Sequence, residues 1–248
     1  MIPKIIHQIW EGRSEPLSEL YTEFGKTWQE QYPDWKYEFW DGDRMDAFVN
    51  NNYPHFADRY FSFQYGVQRW DASRYLILDK IGGMYVDFDY ESIAPLDELV
   101  QDKTCCFAME PELHSRIAQK DPMFNNALML SVPGHPFMQK MIDAVFSENR
   151  LQAVIDATAG YSDRKQKEHI VLHSTGPWMM MELYEQLPEE EKNGIYLIPA
   201  KYVSPFNTEQ VALLLQNVET DELNDCLAEA YAVHYYLSLW RAVTKNND

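Results

Sequence analysis

No stretch of this chain is both long and apolar enough to cross a bilayer. No hydrophobic run approaches the roughly 18 residues a spanning helix needs, and the opening MIPKIIHQIW is cut off by Glu11 before it can form the apolar region of a signal peptide. Read this way, the chain is soluble. Cysteine is scarce: Cys105, Cys106 and Cys226 are an odd count with two neighbours adjacent, which fits neither a disulfide framework nor a spaced zinc-ligand set and predicts a reducing, cytoplasmic setting. Positive charge is short as well. Only 21 Lys and Arg stand against 39 Asp and Glu, and a net charge of −18 repels a phosphate backbone, so nucleic acid is excluded as a partner. Repeats and low-complexity linkers are absent, and residues 1–248 read as one domain.

Among what is present, 46% of the residues are hydrophobic, enough for a sizeable core. Aromatics reach 14%, which suits stacking on a sugar or nucleobase and equally suits an ordinary aromatic interior. Along the chain, Ile2–Trp10 reads as a buried strand and Pro16–Tyr32 as a helix stopped by Pro33. A strand at Trp35–Trp40 and a helix capped by Asp43 and running to Asn50 follow. Tyr65–Ile81 is the longest helical candidate, ended by Gly82-Gly83, and a strand at Met84–Tyr90 comes next. Further strands fall at Thr104–Met109, Ala127–Val132 and Tyr196–Ile198, and further helices at Pro136–Ser147, Pro177–Leu187 and Glu222–Ala232. His234–Trp240 reads as an ordered tail. Strands alternating with helices predict an α/β fold whose sheet is mostly parallel and flanked by helices, with ligands outside the carboxyl ends of the strands.

At such a strand end stands GGMYVDFDYES, where Asp87 and Asp89 lie two residues apart and point to one side if the strand continues through them. Two converging carboxylates suit Mg²⁺ or Mn²⁺, hard cations that leave positions open for a substrate diphosphate. A pair of solvated or capping aspartates is the plainer alternative. Upstream, Asp71 and Arg74 share a helix face, so Asp71 could accept from ribose hydroxyls while Arg74 contacts phosphate, or the two could simply pair with each other.

The stretches IPKIIHQIW, RWDASRYLILDKIGGMYVDFDYESIAPLDEL and HSTGPW occur in that order. Together they resemble the DxD-containing glycosyltransferase family 32, which includes capsular-polysaccharide and Och1-like enzymes and is distantly similar to the clostridial glucosylating toxins. The resemblance covers nearly the whole chain and is most specific from Asp71 to Leu96. It implies a GT-A fold and a hexosyltransferase that uses a nucleotide-sugar donor, UDP-galactose, UDP-glucose or GDP-mannose. Retention of anomeric configuration, Mn²⁺ or Mg²⁺ as cofactor, and a glycan or lipid-linked glycan acceptor in capsular or surface polysaccharide synthesis come with it. The expected location is the cytoplasm, and peripheral association with the inner face of a membrane is compatible with it.

Carried onto this sequence, the resemblance implies that His7, Ile9 and Trp10 line the nucleotide pocket, and that Asp71, Arg74 and Tyr75 hold the ribose and donor. Asp87 and Asp89 match the DxD and would act in catalysis and metal binding. Asn126, or its neighbour Asn125, falls near the donor sugar, and Glu110 where an acidic residue follows a strand. His234 and Trp240 match a terminal motif closing over the diphosphate, with His234 as a metal or phosphate partner. Ser238 stands one place from the expected serine. His173 and Thr175 belong to the TGP element, and Trp70 replaces the serine usual before Asp71. Two rivals remain at this point: a haloacid-dehalogenase-like phosphatase, which places its Asp-x-Asp near the N-terminus, and an inactive sugar-nucleotide binding module. A glycoside hydrolase needs carboxylates on opposite sides of a bond, which two positions on one strand end do not provide.

Overall fold

The structure is a computed structural model that describes residues 1–13 and 15–237. Its centre is a six-stranded sheet. The strands are β1 (Ile5–Ile9), β2 (Lys36–Trp40), β3 (Gly83–Val86), β5 (Cys105–Met109), β6 (Phe124–Ser131) and β7 (Tyr196–Ile198), in the spatial order β2-β1-β3-β6-β5-β7. The pairs β1/β2, β1/β3 and β5/β7 are parallel, while β6 runs antiparallel to both β3 and β5. The sheet is thus mostly parallel, with one reversed strand inside it. A second, two-stranded sheet joins β4 (Tyr90–Ser92) to β8 (Ala232–His234).

Every residue of β3 and β6 is buried because both faces of the sheet are covered, the usual setting of strands inside an α/β layer structure. The two-residue period of a strand sorts these side chains. Tyr85, Cys105, Phe107 and Met129 enter one apolar cluster with the helices Gly66–Ile81, Pro136–Phe146 and Pro177–Glu185. Met84, Val86, Cys106, Ala108, Leu128 and Leu130 enter the other, with Trp28 from helix Glu19–Gln31. The Gly82-Gly83 pair ends the Gly66–Ile81 helix with φ values of 71° and 106°. A Cβ on Gly83 would stand 2.6 Å from the Ile5 carbonyl oxygen, so only glycine lets β3 start this close to β1.

Several boundaries differ from the sequence-based expectation for identifiable reasons. The strand expected over Met84–Tyr90 breaks after Val86: Asp87 to Tyr90 form a turn closed by Tyr90 N–H to Asp87 O at 3.2 Å, and the chain then leaves the central sheet as β4. The helix after β2 is Gly42–Asn52, capped by Asp41 through Arg44 N–H rather than by Asp43. The first helix begins at Glu19 with Ser18 as cap, so Pro16 and Leu17 lie outside it. Helices Glu148–Asp156 and Asp163–Ser174 carry no expectation at all, since their charged residues leave too thin an apolar stripe: the second buries only Lys167, Ile170, Val171 and Ser174. The helix expected to run to Ala232 ends at Leu227, and Ala232–His234 becomes β8.

Candidate active site

Helix Gly66–Ile81 and strands β3 and β6 meet where β3 ends, and each brings one part of a buried polar network. From the helix, Asp71 and Arg74 face the sheet with only 4% and 6% of their surfaces exposed. Arg74 Nη1 donates to the Asn126 carbonyl oxygen at 2.9 Å and lies 3.4 Å from Asp87 Oδ2, while Nη2 lies 3.4 Å from Asp71 Oδ1. Its guanidinium covers the Tyr85 ring at 4.7 Å. One cation therefore serves two carboxylates in a place largely closed to water, and the network keeps an excess negative charge.

Asp71 accepts from Asn126 Nδ2 on Oδ1 and from the Thr175 hydroxyl on Oδ2, both at 2.9 Å. Burial raises its pKa to about 6, against the pull of Arg74 and the Thr175 bond. Asn126 also donates to the Tyr75 hydroxyl, which in turn donates to the Thr175 carbonyl at 2.6 Å. Asn125 is turned to the other side of β6. Its Nδ2 donates to Glu110 Oε1 at 2.7 Å, and its Oδ1 accepts from the backbone N–H of Ala127 and Leu128. Thus Asn126, not Asn125, adjoins Asp71 and Arg74.

The two aspartates sit on the turn after β3. Asp87 is anchored through its N–H to Ala127 O at 2.8 Å, and the Tyr85 hydroxyl donates to its Oδ1. Burial and the neighbouring Asp89 raise the Asp87 pKa against the pull of Arg74. Asp89 is gripped from the C-terminal segment: Leu237 N–H donates to Oδ2 at 2.9 Å, Tyr235 N–H to its carbonyl at 2.8 Å, and His234 Nε2 lies 3.5 Å from Oδ1. Burial pushes Asp89 up, but His234 and the Leu237 N–H outweigh it and hold the carboxyl below the ordinary range. For His234, burial favours the neutral ring, and the Asp89 carboxylate outweighs that and raises the pKa. The ring lies between Tyr90, stacked at 4.2 Å, and Tyr236 at 4.0 Å, with Nδ1 lacking a partner among the described residues.

Asp87 and Asp89 retain 28% and 13% side-chain exposure, so the turn is where the network meets solvent. Among the described residues no group of three or more His, Cys, Asp or Glu side chains forms a cage for a metal. Two partly exposed aspartate side chains nonetheless suit a small hard dication, which takes one or two carboxylates and completes its shell with water and substrate phosphate. The donor set fits Mg²⁺ or Mn²⁺ in that manner.

The remaining residues singled out in the sequence separate into those near the turn and those away from it. Trp10 is at the turn: its ring meets Phe88 edge-on at 6.4 Å and Tyr21 at 5.6 Å, with Nε1 donating to Glu15 O at 2.8 Å. His7 is not at the turn. It is 0% exposed, its Nε2 lies 2.9 Å from Gly82 O, and its Nδ1 receives Trp40 Nε1–H at 3.1 Å, which fixes the neutral tautomer with the proton on Nε2. Burial lowers its pKa to about 4. Ile9 and Tyr75 belong to the apolar cluster on one sheet face. His173 is occupied with Glu182 at 2.9 Å, away from Asp71, although Thr175 two residues on reaches that aspartate. Trp240 and Ser238 lie outside the described residues. Tyr85 escaped the sequence reading; its signal was its position two before Asp87, which on a strand places both side chains on one face.

Comparison with known proteins bears on the same region. A family model described as a glycosyltransferase sugar-binding region containing a DXD motif matches residues 18–105. An uncharacterized glycosyltransferase, L373, of Acanthamoeba polyphaga mimivirus is 30% identical over 210 residues, 84% of this chain and 74% of its own. The mannosyl phosphorylinositol ceramide synthase SUR1 of Saccharomyces cerevisiae is 28% identical over 82% of this chain, and the inositol phosphoceramide mannosyltransferase 1 of Schizosaccharomyces pombe 30% identical over 57%. This chain spans 48% and 42% of the lengths of those two, about half or less. Among solved structures, the ligand-free glycosyltransferase domain of the YGT toxin superposes with a TM-score of 0.53 at 8% identity, over 91% of this chain and 89% of that domain. At that identity the likeness speaks for the fold alone, the GT-A arrangement.

Proposed function

Because this chain belongs to the family of glycosyltransferases with a DXD sugar-binding region, we propose that it transfers a hexose from a nucleotide-diphosphate sugar to a glycan or glycolipid hydroxyl, with a divalent cation at Asp87 and Asp89. The observation that carries the proposal is the turn after β3. It leaves two carboxylates partly exposed at a strand's carboxyl end, directly in front of a buried Arg74 already linked to Asp71, Asp87 and Asn126. Family membership also displaces the phosphatase reading.

In this reading the residues divide the work by what each can reach. Asp89 and Asp87 hold the cation, which when bound would neutralise charge building up on the departing diphosphate. Arg74 stays cationic beside two carboxylates and holds Asp87 and the Asn126 backbone in place as charge moves in front of it. Asp71 and Asn126 stand behind the donor hydroxyls bonded to each other, with Thr175 and Tyr75 keeping them oriented, and would meet the donor by exchanging one of these bonds for it. Trp10 stands at the rim as a flat surface for the base. Trp240 belongs to the same proposal as a partner of the diphosphate, as does His234, which lies 3.5 Å from Asp89 between the rings of Tyr90 and Tyr236. His7, Ile9 and Tyr75 support the pocket from behind. Preorganised charge of this kind supplies a large share of catalysis, and removing one carboxylate is expected to lower turnover on the order of 10²-fold or more. Retention of anomeric configuration, with attack from the face the leaving group departs, is part of the proposal.

Mannose is the first sugar to test, because curated relatives are named mannosyltransferases and the proposed donors include GDP-mannose; UDP-glucose and UDP-galactose follow. Their names mention ceramide lipids, which favours a glycolipid acceptor, met at a membrane surface, over a capsular glycan. A cytoplasmic location is supported by three free cysteines. The test is isothermal titration with GDP, UDP and the three nucleotide sugars, each with Mn²⁺ and with chelator, followed by donor hydrolysis. One nucleotide sugar binding only with Mn²⁺, and losing that binding in Asp89→Ala, is the expected result. Full activity in Asp89→Ala would overturn the metal assignment, and cation-dependent binding without any turnover would leave a binding module.

A further inference from the structure

Helix Glu19–Gln31 carries a buried glycine, Gly25, in its interior, where glycine is the poorest helix former after proline. Nothing in its backbone calls for glycine, since its φ lies outside the left-handed region. What calls for it is space. A Cβ at this position would stand 2.8 Å from Phe88 Cε1, 3.3 Å from Phe88 Cδ1 and 3.1 Å from Gln8 Oε1. Phe88 is the residue between Asp87 and Asp89, and its ring is 5% exposed in a cluster with Tyr21 and Phe24 of the same helix.

The same helix also holds the chain just beyond the turn. Trp28 Nε1 donates to the Tyr90 carbonyl at 2.9 Å, and Thr27 Oγ1 accepts from Ser92 N–H at 2.9 Å. One turn before Gly25, the Tyr21 ring lies against Trp10, and both aspartates raise the pKa of its hydroxyl, burial being the larger cause. Phe24 stacks on Tyr235 at 4.5 Å, the residue whose N–H reaches Asp89 O. A rigid ring seated in a notch, with backbone pinned on its far side, has no flexible end that could swing away from an added methyl.

We propose that Gly25 is a positioning residue: the missing side chain is the notch that seats the Phe88 ring, and this seating sets where Asp87 and Asp89 point. The inference rests on the role given above to the two aspartates. It requires Gly25→Ala to push the turn outward while leaving the rest of the fold in place, and a displacement near 1 Å at a reacting site lowers rates on the order of 10²-fold. Leucine at position 88 lacks the atom equivalent to Cε1, so it should accommodate the methyl.

The experiment compares wild type, Gly25→Ala, Phe88→Leu and the double variant in the full chain. Two quantities are read: hydrolysis of the donor that wild type uses, as kcat and KM, and hydrogen exchange of the Leu237 and Tyr235 amides without ligand. Gly25→Ala is expected to lose 10-fold or more in kcat, on the order of the loss above, and to exchange both amides faster with its melting transition intact. The double variant should recover turnover beyond the product of the two single losses and restore amide protection. Wild-type turnover and exchange in Gly25→Ala, or strictly multiplicative losses in the double variant, overturn the proposal. If Gly25→Ala does not fold, a double variant that folds with protected amides supports the notch and one that does not overturns it. Wild type that neither binds nor hydrolyses any nucleotide sugar refutes the transferase reading instead, and amide exchange still decides the notch.

Discussion

The His7 ring offers the sharpest physical test, because its chemistry inverts between the folded and unfolded chain. Folded, it is fully buried, with Nδ1 receiving Trp40 Nε1–H and Nε2 against Gly82 O, and burial lowers its pKa from 6.5 to about 4. Unfolded, it titrates at its ordinary value. Above pH 6.5 both states are neutral and the folded contacts count in full. Between 6.5 and 4 the unfolded chain binds a proton that the folded chain refuses, so stability is lost as pH falls through that window. Each pH unit inside it is worth about 1.4 kcal/mol, and going from about pH 7 to about pH 4.5 crosses about two units, so the loss from this group is about 2.5 kcal/mol. Asp71 acts in the opposite sense: raised from 3.8 to about 6 by burial, it takes up a proton on folding, and its contribution grows as pH falls through that interval. Wild type alone would mix the two effects. Urea unfolding of wild type and His7→Gln at about pH 7 and about pH 4.5 separates them, since Asp71 is common to both chains. His7→Gln should be the less stable at neutral pH, and its deficit should shrink by about 2.5 kcal/mol at the lower pH. A deficit of the same size at both would refute the buried neutral imidazole.

Arg74→Met should lower unfolding stability by about 3–5 kcal/mol in urea melts, because it strands the Asp71 and Asp87 carboxylates without their cation; stability equal to wild type would mean the pairs carry no net weight. Thr175→Val removes the hydroxyl donor from Asp71 Oδ2 and should cost about 1–3 kcal/mol. It should also move the acid limb of donor turnover to higher pH, since that bond holds the Asp71 pKa down; an unmoved limb would mean Asp71 need not be ionised for turnover. Gly83→Ala should be destabilised by about 1–3 kcal/mol from backbone strain, with the clash on the Ile5 carbonyl adding to it; an unchanged calorimetric melt would contradict the close approach of β3 to β1.

Much of this molecule is written in local pattern. The β-branched Ile5, Ile6 and Ile9 in a short run favour a strand, Gly82-Gly83 stops a helix because only glycine accepts those φ values, and the three-residue spacing of Asp71 and Arg74 on a helix puts them on one face. These local rules placed helix Gly66–Ile81 next to β3 and singled out the two aspartates at its end. They also favoured one continuous strand through Asp87 and Asp89, and there the tertiary structure decided otherwise. The ring of Phe88 fits a gap in a helix some sixty residues earlier, Trp28 fixes the Tyr90 carbonyl, and β8, almost 150 residues on, supplies a new partner for β4. The competing partners lie too far along the chain for any local period to register, so the strand breaks where they bind. For His7 the sequence showed an ionisable residue in an apolar strand, and only the packing of Trp40 and Gly82 around it decided that both nitrogens are used inside the core. Periodicity fixes which residues can share a face; which of them meet, and which are shut away from water, is set by contacts distant in sequence.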